Sequence, residues 1–160
     1  MNEEKHILSI LVDNEPGVLS RIAGLFSGRG YNIESLSVAE TNDPKVSRVT
    51  MVTTGVAQII EQIKKQLHKL VNVITVHDLT GKAYVHRELV LVKVYTRPET
   101  RGEILRIADV FRAKIVDVGN EHYTVEVTGS EDKISAILKI FQPMGIKEIV
   151  RTGPVALFRE

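Results

Sequence analysis

An α+β fold made of two consecutive βαββαβ units is predicted, and three observations predict it. Four segments carry apolar residues at helical spacing, and short β-branched or alternating runs lie between them. The order of these elements repeats after a break at Gly81-Lys82. At 160 residues the chain is long enough for two small domains, each with its own core.

The first unit is expected over residues 1–80. Lys5 to Asp13 is a nearly continuous apolar run and reads as a strand. From Gly17 to about Arg29, Val18, Leu19, Ile22, Ala23 and Phe26 fall on one helical face, and Gly28 and Gly30 stop the helix. Ile33–Glu40 and Ser47–Thr54 are strands joined by the turn Thr41-Asn42-Asp43-Pro44. A helix over Gln58–Lys69 carries Ile59, Ile60, Ile63, Leu67 and Leu70 on one side, and Val71–Val76 closes the unit as a fourth strand.

The second unit is expected over residues 81–160. Glu88–Tyr95 is a strand, and the turn Arg97-Pro98-Glu99-Thr100 opens a helix bearing Ile104, Leu105, Ile107, Ala108 and Phe111. Lys114–Val118 and Tyr123–Thr128 form a hairpin around Gly119-Asn120. Ser130 caps a helix with Ile134, Ile137, Leu138 and Phe141 inside, ended by Pro143 and Gly145. Ile146–Thr152 is the last strand. Each unit is then a four-stranded antiparallel sheet with two helices on one face, the ferredoxin-like arrangement. An edge strand or the uncovered face is left to a partner, so oligomerisation is expected.

Composition excludes several function classes. The net charge is +1, there is no tryptophan, and acids and bases are nearly balanced in each half, which disfavours a nucleic-acid surface. With no cysteine, disulfides and thiolate chemistry are excluded. No apolar run approaches the roughly 20 residues of a membrane span, and Met1-Asn2-Glu3-Glu4-Lys5 does not read as a secretory leader. A cytoplasmic protein is expected. The five histidines include no pair at helical metal-ligand spacing, so no metal site is expected; they read as surface or strand-end residues. Asp13, Glu15 and Glu34 lack an accompanying nucleophile or base, so no catalytic residue is assigned. Lys64, Lys65 and Lys69 read as a solvated helix face, while Arg97 and Arg101 flank a helix start where they could meet an acidic surface.

The binding candidate is the strand-to-helix turn Asn14-Glu15-Pro16-Gly17. Free backbone N–H groups at the positive end of a helix dipole hold anions, and a carboxylate is the simplest ligand. Gly17, Val18 and Leu19 would supply the N–H groups, and Gly17 lets a ligand approach the backbone. Pro16 has no N–H and pre-sets the helical start. The Asn14 amide offers an oxygen to an ammonium group and a nitrogen to an oxyanion. Together these suit an α-amino acid, although a capped helix without a ligand fits the same spacing. The turn Arg29 to Leu36, with Asn32 at the strand start, is an ordinary helix-to-strand loop when read alone.

The two segments together, NEPGVLSRIAGLFSGRGYNIESLSVAET followed by SRVTMV, resemble the start of the regulatory (small) subunits of acetohydroxyacid synthase, also called acetolactate synthase. QIIEQIKKQLHKLVNVITVHDLT, RELVLVKV, Val110–Val118, Tyr123-Thr124-Val125-Glu126 and GIKEIVRTGPVAL continue the resemblance over essentially the whole chain. It implies an N-terminal ACT domain and a ferredoxin-like C-terminal domain. It implies a homodimer whose ACT domains pair side by side, with an amino acid bound at the seam. Asn14, Gly17, Val18 and Leu19 would come from one chain and Asn32 and Ile33 from the other, with Ile33 and Ala39 lining the pocket for a branched tail. It further implies a non-catalytic subunit that binds and activates the catalytic (large) subunit and confers feedback inhibition by branched-chain amino acids, usually valine. Thiamine diphosphate, Mg²⁺ and FAD would sit on that partner, and no cofactor on this chain. Pro16 departs from the small polar residue often found there.

Three other functions are set against this one. A stand-alone amino-acid-sensing ACT protein could regulate a different enzyme. An RNA binder on this fold would need exposed aromatics on its central strands, and Ile7–Val12 and Val49–Thr53 have none. A small enzyme would need an acid–base set that the chain does not show.

Overall fold

A computed structural model describes residues 2–160. The chain forms two compact units, residues up to Val85 with Pro154–Glu160, and His86–Gly153.

In the first unit, β1 (Glu4–Asp13), α1 (Val18–Gly28), β2 (Ser35–Glu40), β3 (Val46–Gly55), α2 (Ala57–His68) and β4 (Val73–Asp78) build an antiparallel sheet of order β2-β3-β1-β4. Register places Leu8 opposite Met51 and Ile10 opposite Val49. Strand side chains alternate between faces, so Leu8, Ile10 and Val12 share one face, where Ile22 and Phe26 of α1 and Ile60, Ile63 and Leu67 of α2 cover them. Burying each of these side chains stabilises by roughly 1.5–3 kcal/mol. The core therefore outweighs surface pairs such as Lys64–Glu61, which contribute about 0–1 kcal/mol.

The second unit repeats the plan. Its elements are β5 (Tyr84–Tyr95, from His86 onward in this unit), α3 (Arg101–Val110), β6 (Lys114–Val118), β7 (His122–Gly129), α4 (Glu131–Phe141) and β8 (Ile146–Arg151), in sheet order β6-β7-β5-β8. Val90, Val92 and Val94 of β5 and Val125 and Val127 of β7 face Ile104 of α3 and Ile134, Ile137 and Phe141 of α4. The α+β class and both βαββαβ orders are as the sequence predicts.

Several details differ. β4 begins at Val73, because Val71 and Asn72 belong to a turn closed by the Val73 N–H on the Leu70 carbonyl. β2 begins at Ser35, leaving Asn32 and Ile33 in the preceding loop. Ser130 stands at the N-cap of α4 with extended backbone, but its side chain makes no capping bond. The last strand is β9 (Val155–Phe158), which lies beyond the expected end of the fold and pairs with β5, and β5 starts at Tyr84. Residues 154–160 therefore join the first unit and not an 81–160 body. Ala156 packs with Ile7, Val52 and Leu79 on the first sheet's helix-free side, and Tyr84 packs against them. Phe158 adds an edge contact to His77 at 5.6 Å. That face, expected to await a partner, is in part covered by the chain itself. Among the described residues, no helix is long and apolar enough to cross a membrane.

Candidate functional site

Gly17 is the N-cap of α1, with φ +86, a left-handed conformation that glycine adopts without cost. A Cβ built there would meet nothing within 4 Å, so backbone conformation and not crowding calls for glycine. The turn is fixed on both sides. The Asn14 N–H donates to the Lys45 carbonyl at 2.8 Å, and the Asp13 N–H to the Asn72 carbonyl at 2.9 Å. At the start of α1 the Val18 N–H makes a long bond of 3.4 Å to the Glu15 carbonyl, while the N–H groups of Gly17 and Leu19 have no acceptor among the described residues. Of the three amides the sequence offers to an anion, Gly17, Val18 and Leu19, these two are therefore unengaged. The Val18 side chain is part of the first core.

Asn14 is oriented by its own amide nitrogen, which donates to the Pro44 carbonyl at 2.9 Å and to Glu40 Oε1 at 3.2 Å. The expectation that this nitrogen serves an oxyanion is therefore corrected. Its oxygen makes no hydrogen bond among the described residues.

Asn32 and Ile33 lie at the other end of the same sheet. Ser35, at the start of β2, is in line with Val52 and Ile7, whereas Glu40, at its end, pairs with Ser47 opposite Val12. The five steps from Ser35 to Glu40 span roughly 17 Å. One chain therefore does not bring Asn32 to Asn14. The Asn32 carbonyl accepts the Thr53 hydroxyl at 2.7 Å, Ile33 packs against the first core, and Ala39 is exposed on β2.

The edge strand β2 relates the two ends. Among the described residues its outer side has no neighbouring strand, and Val38 on it is exposed. Two copies pairing β2 to β2 antiparallel about a two-fold axis would set the end of one β2, with Glu40 and Asn14, beside the start of the other, with Asn32 and Ile33.

Asn72 is the site residue that sequence reasoning missed. Its amide oxygen receives Arg21 of α1, and its nitrogen donates to Asp13 and Glu15, each at 3.3 Å. Asn72 is buried, and it ties β1, the turn and α1 to the start of β4. Within the run Leu70-Val71-Asn72-Val73 it carried no signal beyond being one polar residue among apolar ones.

Two of the other candidates have structural partners. His6 Nδ1 lies 2.8 Å from Asp78 Oδ2, and Arg101 donates to the Asn120 carbonyl at 2.9 Å. Among the described residues, no group of three His, Cys, Asp or Glu side chains is placed to hold a metal.

Comparison with known proteins bears on the whole chain. Residues 8–75 match the acetohydroxyacid synthase small subunit-like ACT domain, and residues 87–160 match the family described as the small subunit of acetolactate synthase. The acetolactate synthase small subunit of Aquifex aeolicus is 52% identical over 157 residues, covering 98% of this chain and 82% of that one. The isozyme 3 small subunit of Salmonella typhimurium is 48% identical over 156 residues, covering 97% and 96%. The crystal structure of the acetolactate synthase small subunit from Thermotoga maritima aligns with a TM-score of 0.89 at 39% identity and covers 98% of both chains.

Proposed function

We infer that this chain, which belongs to the family of acetolactate synthase small subunits, is a non-catalytic regulatory subunit that binds and activates the catalytic subunit in the cytoplasm. As a homodimer it senses valine at the seam between two ACT domains. Thiamine diphosphate, Mg²⁺ and FAD belong to the catalytic partner in this reading.

The observation that carries it is the turn itself. Gly17 opens α1 with unpaired amides beside an oriented Asn14, all at the end of an unpaired edge strand. A valine carboxylate would take the Gly17 and Leu19 N–H groups, favoured by the helix dipole. Its ammonium would take Asn14 Oδ1, and Asn32 of the second copy would complete the polar ring. Ile33 of that copy and Ala39 would face the isopropyl group, whose transfer out of water adds to affinity. Valine transmits a signal to the extent that it binds one arrangement of the dimer better than another.

Calorimetry on the full chain, with lysine as the control ligand, tests the site. Saturable valine binding at one or fewer per chain is expected. Gly17→Asp places a carboxylate over the amides and should weaken it about a hundredfold or more. Gly17→Asn, with the same shape and tolerance for φ +86 but no charge, should lose less. Equal valine affinity in the wild type and Gly17→Asp would remove the site assignment. Failure to raise the activity of added catalytic subunit would leave a stand-alone sensor.

A further inference from the structure

We propose that the second unit carries a binding site of its own for a small zwitterionic α-amino acid, in the cleft over the turn between β5 and α3. This inference is independent of the valine site.

The cleft has a volume of about 520 Å³, within the usual range for small-molecule pockets, and Tyr95, Thr96, Arg97, Glu121, Pro143 and Met144 line it. All six belong to the second unit. It occupies the position that the Asn14 turn holds in the first unit. The Thr96 N–H donates to the Glu121 carbonyl at 2.8 Å, as Asn14 does to Lys45, and the Tyr95 N–H donates to Gly145 at 2.9 Å, as Asp13 does to Asn72. The backbone frame is thus repeated. What differs is the filling, because the second unit has Gly145 where the first has the Asn72 side chain, so no side chain at that position ties the turn to the helix.

The charges on the lining select the ligand class. Arg97 and Glu121 flank one cleft, and neither side chain has a hydrogen-bond or ion-pair partner among the described residues. A simple anion on Arg97 would sit near the Glu121 carboxylate and be repelled. A zwitterion satisfies both, with its carboxylate on the guanidinium and its ammonium on the carboxylate. Tyr95, Pro143 and Met144 offer an apolar wall to a side chain such as that of leucine. The Thr100 hydroxyl is already spent on the Arg97 backbone, so it shapes the turn and does not bind the ligand.

Methyl-labelled methionine makes the test local. The chain has three methionines; Met144 lines the cleft and Met51 is fully buried in the first core. In NMR titration of the full-length Gly17→Asp chain, L-leucine should shift the Met144 methyl saturably and leave Met51 still. Arg97→Gln and Glu121→Gln should each weaken that response about tenfold or more, and N-acetyl-L-leucine, which lacks the ammonium, should produce little of it. A Met144 signal unmoved by L-leucine would overturn the proposal. So would equal responses to the two ligands, or a Glu121→Gln chain that binds as the parent does. Both substitutions are on exposed residues, and an unshifted Met51 reports that the fold is intact.

Discussion

The two β-to-α turns of this molecule share a backbone frame and differ in how they are filled. In the first, Asn72 bonds Arg21, Asp13 and Glu15, so one amide ties the turn to the start of α1. In the second, the equivalent residue is Gly145, with φ +95, and the Tyr95 ring lies against it. α1 begins four residues after Asn14, directly behind a left-handed glycine. α3 begins five residues after Thr96, behind Thr100, whose hydroxyl accepts the Arg97 N–H at 3.0 Å. The hydrogen bonds that define the fold thus leave the chemistry of the turn free to diverge. One turn presents backbone amides, while the other has side chains of opposite charge, Arg97 and Glu121, around an open cleft.

Exchanging the filling residues tests this contrast. Gly145→Asn should have the larger effect. The backbone there, φ 95 and ψ 116, lies in a region that L side chains avoid, and a Cβ would come within 3.0 Å of Tyr95 Cδ2. A destabilisation of about 2–3 kcal/mol is expected, read as a lowered urea midpoint with unchanged slope. A midpoint within error of the parent would show that Gly145 is not required by its conformation.

Asn72→Ala should cost less, about 1–2 kcal/mol, since Asp13 keeps its backbone bond to residue 72 and only the side-chain bonds are lost. Its second effect is diagnostic. With the turn released, valine affinity should fall severalfold more than a comparable stability loss elsewhere would cause, such as that of Ile137→Val in the second core. Equal valine affinity in the two variants would reduce Asn72 to a purely structural residue.

Much of this was legible in the sequence, for physical reasons. Periodicity locates α1 because Val18, Ile22, Leu25 and Phe26 must all face one sheet. Gly17 was legible because a glycine before a helix has few other reasons to be there. Asn72 was not, because a buried amide's value lies in partners at positions 13, 15 and 21 that no local pattern connects. Gly145 read only as a helix stop, since its counterpart becomes visible when two sheets are laid register on register. β9 escaped because Gly153-Pro154 reads as an ending, and Val155–Phe158 is too short to declare a strand without Ala156 packing on Ile7 and Val52. The separation of Asn14 from Asn32 follows from strand direction, which the sequence implies and the register makes plain.

The smallest expected effect lies where the two sheets differ just before the bulge that each central strand shares. The first pairs Leu11 with Thr75, whereas the second pairs Lys93 with Glu148 at 3.0 Å. The Lys93 hydrogen bond, and then its charge, hold the Glu148 carboxyl below the usual carboxylate range. A lowered folded-state pKa means that the stabilisation is present above the unfolded glutamate value, about 4.3. It is lost as the pH falls through the lowered one. Glu148→Gln should therefore unfold slightly more easily than the parent near neutrality, with the difference vanishing in acid. The pair is exposed and screened by salt, so the difference should also shrink as ionic strength rises. Leu11 and Thr75 carry no charge, so Thr75→Val in the first unit should leave the pH dependence of unfolding unchanged. If Glu148→Gln also leaves the profile unchanged, the ion pair adds nothing to the acid response of the second unit, and the contrast between the sheets at this register is one of shape alone.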